Sequence, residues 1–270
     1  MSNADIFAVA PIRCFEANTE IGQATGFFYD YDQRYFITNR HVVIDENEDY
    51  YPDELRLLLH KKDNIKQNEI FSIPLYDTYG NNLWLEHPEG SEVDVVALPI
   101  DWRNSNKLRS QYYVISFSLT DTYFPNIEHQ KRFGFSEIDL AIGEDLLVIG
   151  YPLGFRDTIN NFPIARNATL ASVFDVPFEG KLGFLIDSRL HKGTSGSPVL
   201  TKTIESNRII NPTSAITPRR FLLGVHSETL DILDRDETDE PLGLNFVWYG
   251  RLIIEIIKDW QRKKATSSHL

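Results

Sequence analysis

The sequence is cut into many short β-rich runs, and this segmentation constrains the fold more than any other feature. Gly26-Phe27-Phe28-Tyr29 and Tyr35-Phe36-Ile37-Thr38 flank a polar turn, Asp30-Tyr31-Asp32-Gln33-Arg34. Runs of the same kind cover Leu55 to Leu59, Val93 to Leu98, Tyr112 to Phe117, Leu146 to Ile149, Ala168 to Phe174, Phe184 to Ile186, Pro198 to Leu200 and Phe221 to Val225. Short strands separated by turns build barrels or sandwiches. Strands do not alternate with helices here, which argues against a doubly wound parallel sheet. The length, 270 residues, suits two halves of similar size or one large all-β domain. One helix is expected, at the end, where Leu252, Ile253, Ile256, Ile257 and Trp260 form an apolar stripe. It is expected to dock on the second half, with a polar tail, Gln261 to Leu270, fraying beyond it. Asp45 to Glu54 and Glu228 to Glu240 read as exposed acidic loops, and Asp101 to Lys131 as the crossover between halves. No internal repeat at a fixed period is visible.

Charge narrows the partners. The formal net charge is −12, and such a field repels a nucleic-acid backbone. Hydrophobic residues at 42% and charged residues at 24% exclude disorder and fibres. No apolar run approaches the ~18 residues of a membrane-spanning helix. A single cysteine, Cys14, allows no internal disulfide and no Cys-rich zinc site, and reads as a small buried apolar residue. The N-terminus lacks a secretory pattern, so a reduced, cytoplasmic setting is expected.

Three strings carry chemistry. The first is Gly193-Thr194-Ser195-Gly196-Ser197-Pro198. A serine hydroxyl becomes a useful nucleophile only when a base takes its proton and donors await the oxyanion. Glycines beside it let backbone N–H groups turn toward one point. The second string, Ile37-Thr38-Asn39-Arg40-His41-Val42-Val43, delivers a histidine at the end of a β-rich run. The third, Glu92-Val93-Asp94-Val95-Val96-Ala97-Leu98-Pro99, sets an aspartate at the head of an apolar strand, a costly place for an unpaired charge. Asp45 and Asp49 are alternative acids, but they lie in a charged run more typical of a solvated loop.

With these strings the chain resembles a trypsin-like (chymotrypsin-fold) serine peptidase, in which the order is also His, Asp, Ser. Matching pieces are Thr25-Gly26-Phe27-Phe28, Thr38-Asn39-Arg40-His41-Val42-Val43, Asp94-Val95-Val96-Ala97-Leu98 and the Gly193 to Pro198 string. Gly150-Tyr151-Pro152-Leu153-Gly154 is similar to a turn of the bacterial Deg-type branch, and Leu222-Leu223-Gly224-Val225-His226-Ser227 to the strand lining the specificity pocket. Bacterial trypsin-like peptidases and glutamyl endopeptidases are the nearest in style. An α/β-hydrolase is rejected, because it would need Gly two residues after the serine, where Ser197 stands, and the triad order Ser, acid, His.

The resemblance implies an all-β fold of two antiparallel six-stranded barrels with the site between them and a C-terminal α-helix. Residues 1–120 would form the first barrel, 121–248 the second, and 249–270 the helix and tail. It implies His41, Asp94 and Ser195 as the catalytic triad, the N–H groups of Gly193 and Ser195 as the oxyanion hole, and no cofactor or metal. Protein or peptide is the implied substrate, and a regulatory protein partner is expected to restrain a cytoplasmic peptidase. Nucleic-acid and membrane partners are not expected.

Two features depart from the family. Thr194 stands where enzymes activated by cleavage carry an aspartate, so that kind of activation is not expected. Only a helix and tail follow residue 248, so caging by a PDZ domain is not expected either. For substrate binding the resemblance points to His226 and Ser227 on the pocket strand and to Arg189 at the pocket floor. His226 and Arg189 would favour an acidic or glutamine side chain before the scissile bond. Arg189 could equally pair with Asp187, and the acidic loop after Glu228 could draw basic substrates instead. His226 could instead be a hydrogen-bonded core residue. His60, His87, His129 and His269 belong to no motif and are assigned to the surface, and His191 to a plain loop. The rival reading is a catalytically silent binding module for polypeptides; an esterase or transferase on the same fold is a third.

Overall fold

A computed structural model of the chain describes residues 4–123, 140–202, 220–230 and 243–267. Eight strands form the N-terminal sheet: β1 (Val9–Glu16), β2 (Thr19–Asp30), β3 (Arg34–Thr38), β4 (Glu54–His60), β5 (Asn68–Pro74), β6 (Leu85–Glu86), β7 (Val96–Pro99) and β8 (Phe117–Ser118). Their order is β5-β4-β1-β2-β3-β7-β6, all antiparallel, while β8 pairs in parallel with β2. Six more close a barrel, in the order β10-β11-β14-β13-β12-β9. These are β9 (Asp145–Gly150), β10 (Ile164–Leu170), β11 (Gly183–Asp187), β12 (Pro198–Thr201), β13 (Leu222–Thr229) and β14 (Leu244–Tyr249). The fold is therefore mostly β, with one closed six-stranded barrel and one eight-stranded sheet in place of two matched sixes. The extra pieces, β6 and β8, are two residues long, too short to leave a periodic signal in the sequence.

Strand periodicity explains how the two halves meet. Successive side chains of a strand point to opposite faces. Along β2, β3 and β7, Phe28, Phe36, Val96 and Leu98 enter a core filled by Ile12, Cys14, Leu55, Leu57 and Phe71. Their neighbours Phe27, Tyr29, Tyr35, Ile37 and Ala97 enter a second core, which continues through Val148, Phe184, Val199, Val225 and Val247 of the barrel. Three strands are thus buried on both faces and couple the halves through packing.

Several expectations shift. Residues 112–116 are mostly irregular, and only Phe117–Ser118 is strand. The run from Ala168 ends as strand at Leu170. A helix, α1 (Trp102–Gln111), occupies the crossover. Asp101 caps it by accepting from Asn104 N–H at 2.8 Å. Leu108 is buried and the helix has one other apolar residue, Trp102, so it leaves no apolar stripe in the sequence. Part of the crossover and most of the loop after Glu228 lie outside the described residues, as do His129 and His269. His60 and His87 are buried, not superficial: His60 stacks on Phe162 and bonds the Ile65 carbonyl at 2.7 Å, and His87 faces Glu255. Cys14 is buried and free, and burial pushes its thiol pKa up to about 12.

The terminal helix, α2 (Arg251–Ser267), buries Leu252, Ile253, Ile256 and Ile257. It lies against β6 and β7 of the N-terminal sheet, a correction to the expected docking on the second half. The cause is steric and chemical at once: the apolar stripe meets the shared core, and Glu255 reaches His87 beside β6 at 3.3 Å. No described helix is long and apolar enough to cross a membrane. Ile256 is fully buried in this seam. Ile256→Ala is expected to lower unfolding free energy by about 2–5 kcal/mol, read from a urea titration.

Candidate active site

The pairing of β3 with β7 sets Thr38 opposite Val96, so the residues just after β3 and just before β7 converge. A short 3₁₀ turn, Arg40–Val42, then brings His41 onto Asp94. The Asp94 carboxylate accepts three hydrogen bonds. Oδ1 takes the His41 backbone N–H at 2.9 Å, and Oδ2 takes the His41 ring at Nδ1 at 2.8 Å and the Ser227 hydroxyl at 2.6 Å. The Asn39 side chain donates to the Asp94 carbonyl at 2.7 Å, fixing the backbone as well. A carboxylate has no proton to give, so His41 carries its hydrogen on Nδ1 and presents Nε2 as a base. Asp45 lines the rim of the same cavity and Asp49 is exposed, and neither bonds the ring. Burial opposes the charged form of His41. The hydrogen bond and charge of Asp94, helped by Glu228 and Asp45, outweigh it and raise the ring pKa above 6.5.

Ser195 arrives on the loop before β12. Gly193 (φ +91°) and Gly196 (φ +82°) both take left-handed backbone that other residues resist, and a side chain at Gly196 would overlap the Thr25 carbonyl. Thr25, on β2, clamps this loop from the other half. Its N–H donates to the Ser195 carbonyl at 2.9 Å, and its hydroxyl donates to the Gly193 carbonyl at 2.8 Å. Thr194 is buried and turns inward to donate to the His191 carbonyl at 2.7 Å, which closes the loop without any ion pair. The N–H groups of Gly193 and Ser195 donate to no protein acceptor among the described residues. Ser195 Oγ donates to the Ser227 carbonyl at 3.0 Å rather than to His41. Ser227, expected only as a substrate contact, therefore touches both Ser195 and Asp94. Thr25 and Asn39 were given no role from the sequence, although both lie inside the strings that carry the resemblance.

His41, Asp94, Ser195, His226, Ser227 and Trp248 line one cavity of about 1000 Å³, with His191 and Lys192 on its rim. Arg189 is a correction. It is exposed, does not line this cavity, and its carbonyl receives the Arg166 guanidinium at 2.6 Å, so it forms no pocket floor. The chain has left β11 at Asp187: Ser188 turns inward to the Asn167 carbonyl, and Arg189 lies in the turn closed by the Leu190 N–H to the Ser188 carbonyl at 3.0 Å. No ion pair joins Arg189 to Asp187 among the described residues. His226 is buried, and burial pushes its pKa down to about 4. No three His, Cys, Asp or Glu side chains among the described residues are grouped as a metal ion would require.

The His41–Asp94 contact is directly measurable. By NMR titration the His41 ring should show a midpoint above 6.5, and Asp94→Asn should lower that midpoint by leaving only Glu228 and Asp45 to oppose burial. A wild-type midpoint below 6.5 would mean that burial prevails over the carboxylate.

The sequence matches the family described as the trypsin-like peptidase domain over residues 24–205, more than half of the chain. No curated protein matches it significantly. Among solved structures, a serine endoprotease from Yersinia pestis aligns with a TM-score of 0.52 at 14% identity, covering 97% of this chain and 68% of that one. The active form of the Rv3671c protease from M. tuberculosis aligns at 16% identity with a TM-score of 0.48, covering 94% and 81%. A thermostable serine protease, AL20, from an extremophilic microorganism aligns at 12% identity with a TM-score of 0.47, covering 97% and 99%. The Yersinia alignment supports the fold, and the match over residues 24–205 supports the lineage: the chain belongs to the trypsin-like peptidases, hydrolases of the serine endopeptidase class.

Proposed function

We propose that the chain hydrolyses peptide bonds through a His41–Asp94–Ser195 triad and an acyl-enzyme intermediate. The observation that carries this reading is the double grip of Asp94 on His41, at ring and backbone, beside Ser195 in one open cavity. Ser195 Oγ rotates from the Ser227 carbonyl to His41 Nε2, gives up its proton and attacks the carbonyl carbon. The carbonyl oxygen gains the negative charge and receives the N–H groups of Gly193 and Ser195. His41, now protonated and paired with Asp94, hands the proton to the departing amine. Water then repeats the sequence on the ester, restoring the Ser195 hydroxyl. A binding module would not need two backbone donors left open beside a serine. The free buried thiol of Cys14 shows that the fold needs no disulfide, which supports a reducing, cytoplasmic setting.

The narrower substrate reading shifts with Arg189 removed. A preference for an acidic or glutamine residue before the scissile bond is supported instead by Lys192, exposed on the rim without an ion pair among the described residues. It is also supported by the indole N–H of Trp248, buried in the cavity wall without an acceptor. Asp45, Glu46 and Glu228 on the rim act against an acidic side chain and favour glutamine.

A fluorophosphonate probe should label the wild type, and Ser195→Ala should abolish the label. Asp94→Asn should reduce kcat by about 10⁴ with the fold intact. A wild type that stays unlabelled while folded would sink the catalytic reading. In a peptide panel, Gln and Glu before the scissile bond should outrun Ala and Lys. Lys192→Glu should depress Glu substrates far more than Gln ones, and an unchanged ranking would remove Lys192 from specificity.

A further inference from the structure

Both donors of the oxyanion hole belong to peptide units whose carbonyls are held from behind. In a trans peptide the C=O and the following N–H point in opposite directions. Fixing the carbonyl of residue 192 therefore aims the N–H of Gly193, and fixing that of residue 194 aims the N–H of Ser195. Lys192 O accepts from the N–H of Leu153 at 2.6 Å, in a loop where Leu153 and Gly154 both take left-handed backbone (φ +52° and +66°). Thr194 O accepts from the N–H of Ser197 at 3.0 Å and faces His226 Nδ1 at 3.0 Å.

The second contact fixes the state of a buried histidine. Both ring nitrogens face acceptors and a neutral ring has one proton to give, so the shorter of the two contacts places it on Nδ1. The other ring nitrogen, Nε2, faces Asn245 Oδ1 at the longer distance of 3.4 Å. That amide is not free to turn: its Nδ2 donates to the carbonyls of Ser188 at 2.6 Å and Gly243 at 2.9 Å, and its oxygen accepts from Thr229. The His226 backbone bonds the nucleophile loop on both sides, N–H to Ser197 O and carbonyl to Gly196 N–H, each at 2.9 Å. Burial keeps the ring neutral around pH 7, with His41 and Asp94 the charged groups that act on it.

We propose that His226 is a positioning residue for the oxyanion hole: its Nδ1–H holds the Thr194 carbonyl so that the Ser195 N–H points at the developing negative charge. This rests on the peptidase reading of the site, and it assigns His226 to transition-state stabilisation rather than to reading the substrate side chain. An asparagine amide can place a donor where Nδ1 sits; a glutamine amide reaches the Nε2 position, and leucine offers none.

The test is steady-state kinetics on His226→Asn, His226→Gln and His226→Leu, with ¹⁵N NMR of the His226 ring in the wild type. His226→Asn should keep kcat within a few-fold. Gln and Leu should lower it by up to about 10²–10³, the loss of one oxyanion donor, with KM and the preference before the scissile bond nearly unchanged. The ring should be the Nδ1–H tautomer. Altered preference or KM at unchanged kcat would overturn the proposal. So would an Nε2–H tautomer, which is decisive even if the variants fail to fold. A wild type that neither hydrolyses peptide nor takes the probe at Ser195 would defeat the peptidase reading instead, and the tautomer would still decide whether His226 holds Thr194.

Discussion

The Asp94 carboxylate is the contact around which the two halves are organised. It is half-buried, so leaving it unpaired would be costly, and three donors prevent that. Two come from His41 on the N-terminal sheet and one from Ser227 on the barrel. The same bonds that make the charge tolerable also select the tautomer of His41 and bring β13 against the N-terminal half. Stability and chemistry are met by one set of atoms.

Thr25 plays the matching part on the other side of the nucleophile. With one backbone and one side-chain bond, it ties the carbonyls of Ser195 and Gly193 to β2. Its hydroxyl also accepts from the Tyr151 N–H at 3.0 Å, linking the loop that reaches Lys192. The left-handed glycines at 193 and 196 make room for these approaches. The loop around Ser195 is therefore fixed chiefly by groups from outside its own segment, which is why its shape cannot be derived from its own residues.

The strings around His41, Asp94 and Ser195 were legible because each couples an unusual residue to a strong local pattern. A charge heads an apolar strand at Asp94, and two glycines flank a serine at 193–196. Barrel strands β9, β11, β12 and β13 were equally plain, as apolar runs such as Leu146 to Ile149, whereas β14 and the polar first part of β10 were not singled out. What the sequence hid was decided by tertiary contacts. β6 and β8 are too short for periodicity, and α1 has two apolar residues in ten, Trp102 and Leu108. The resemblance puts Arg189 at the pocket floor, but its direction depends on the turn that begins at Ser188 one residue earlier. Ser227 read as a pocket residue because nothing in its own strand announces an aspartate on the opposite half. The terminal helix was recognised by its stripe, yet a stripe names a buried face and not the surface that buries it.

That helix has a consequence for how the protein comes into being. Residues 251–267 lie against β6 and β7, the strands on either side of Asp94, although about 150 positions of chain intervene. During synthesis, N-terminal segments generally fold as they emerge. Here the half that holds His41 and Asp94 keeps an apolar seam uncovered until residues 251–267 have been made. Chains cut short before residue 251 would keep the strings but lack their roof, which ties the finished seam to the making of that one helix.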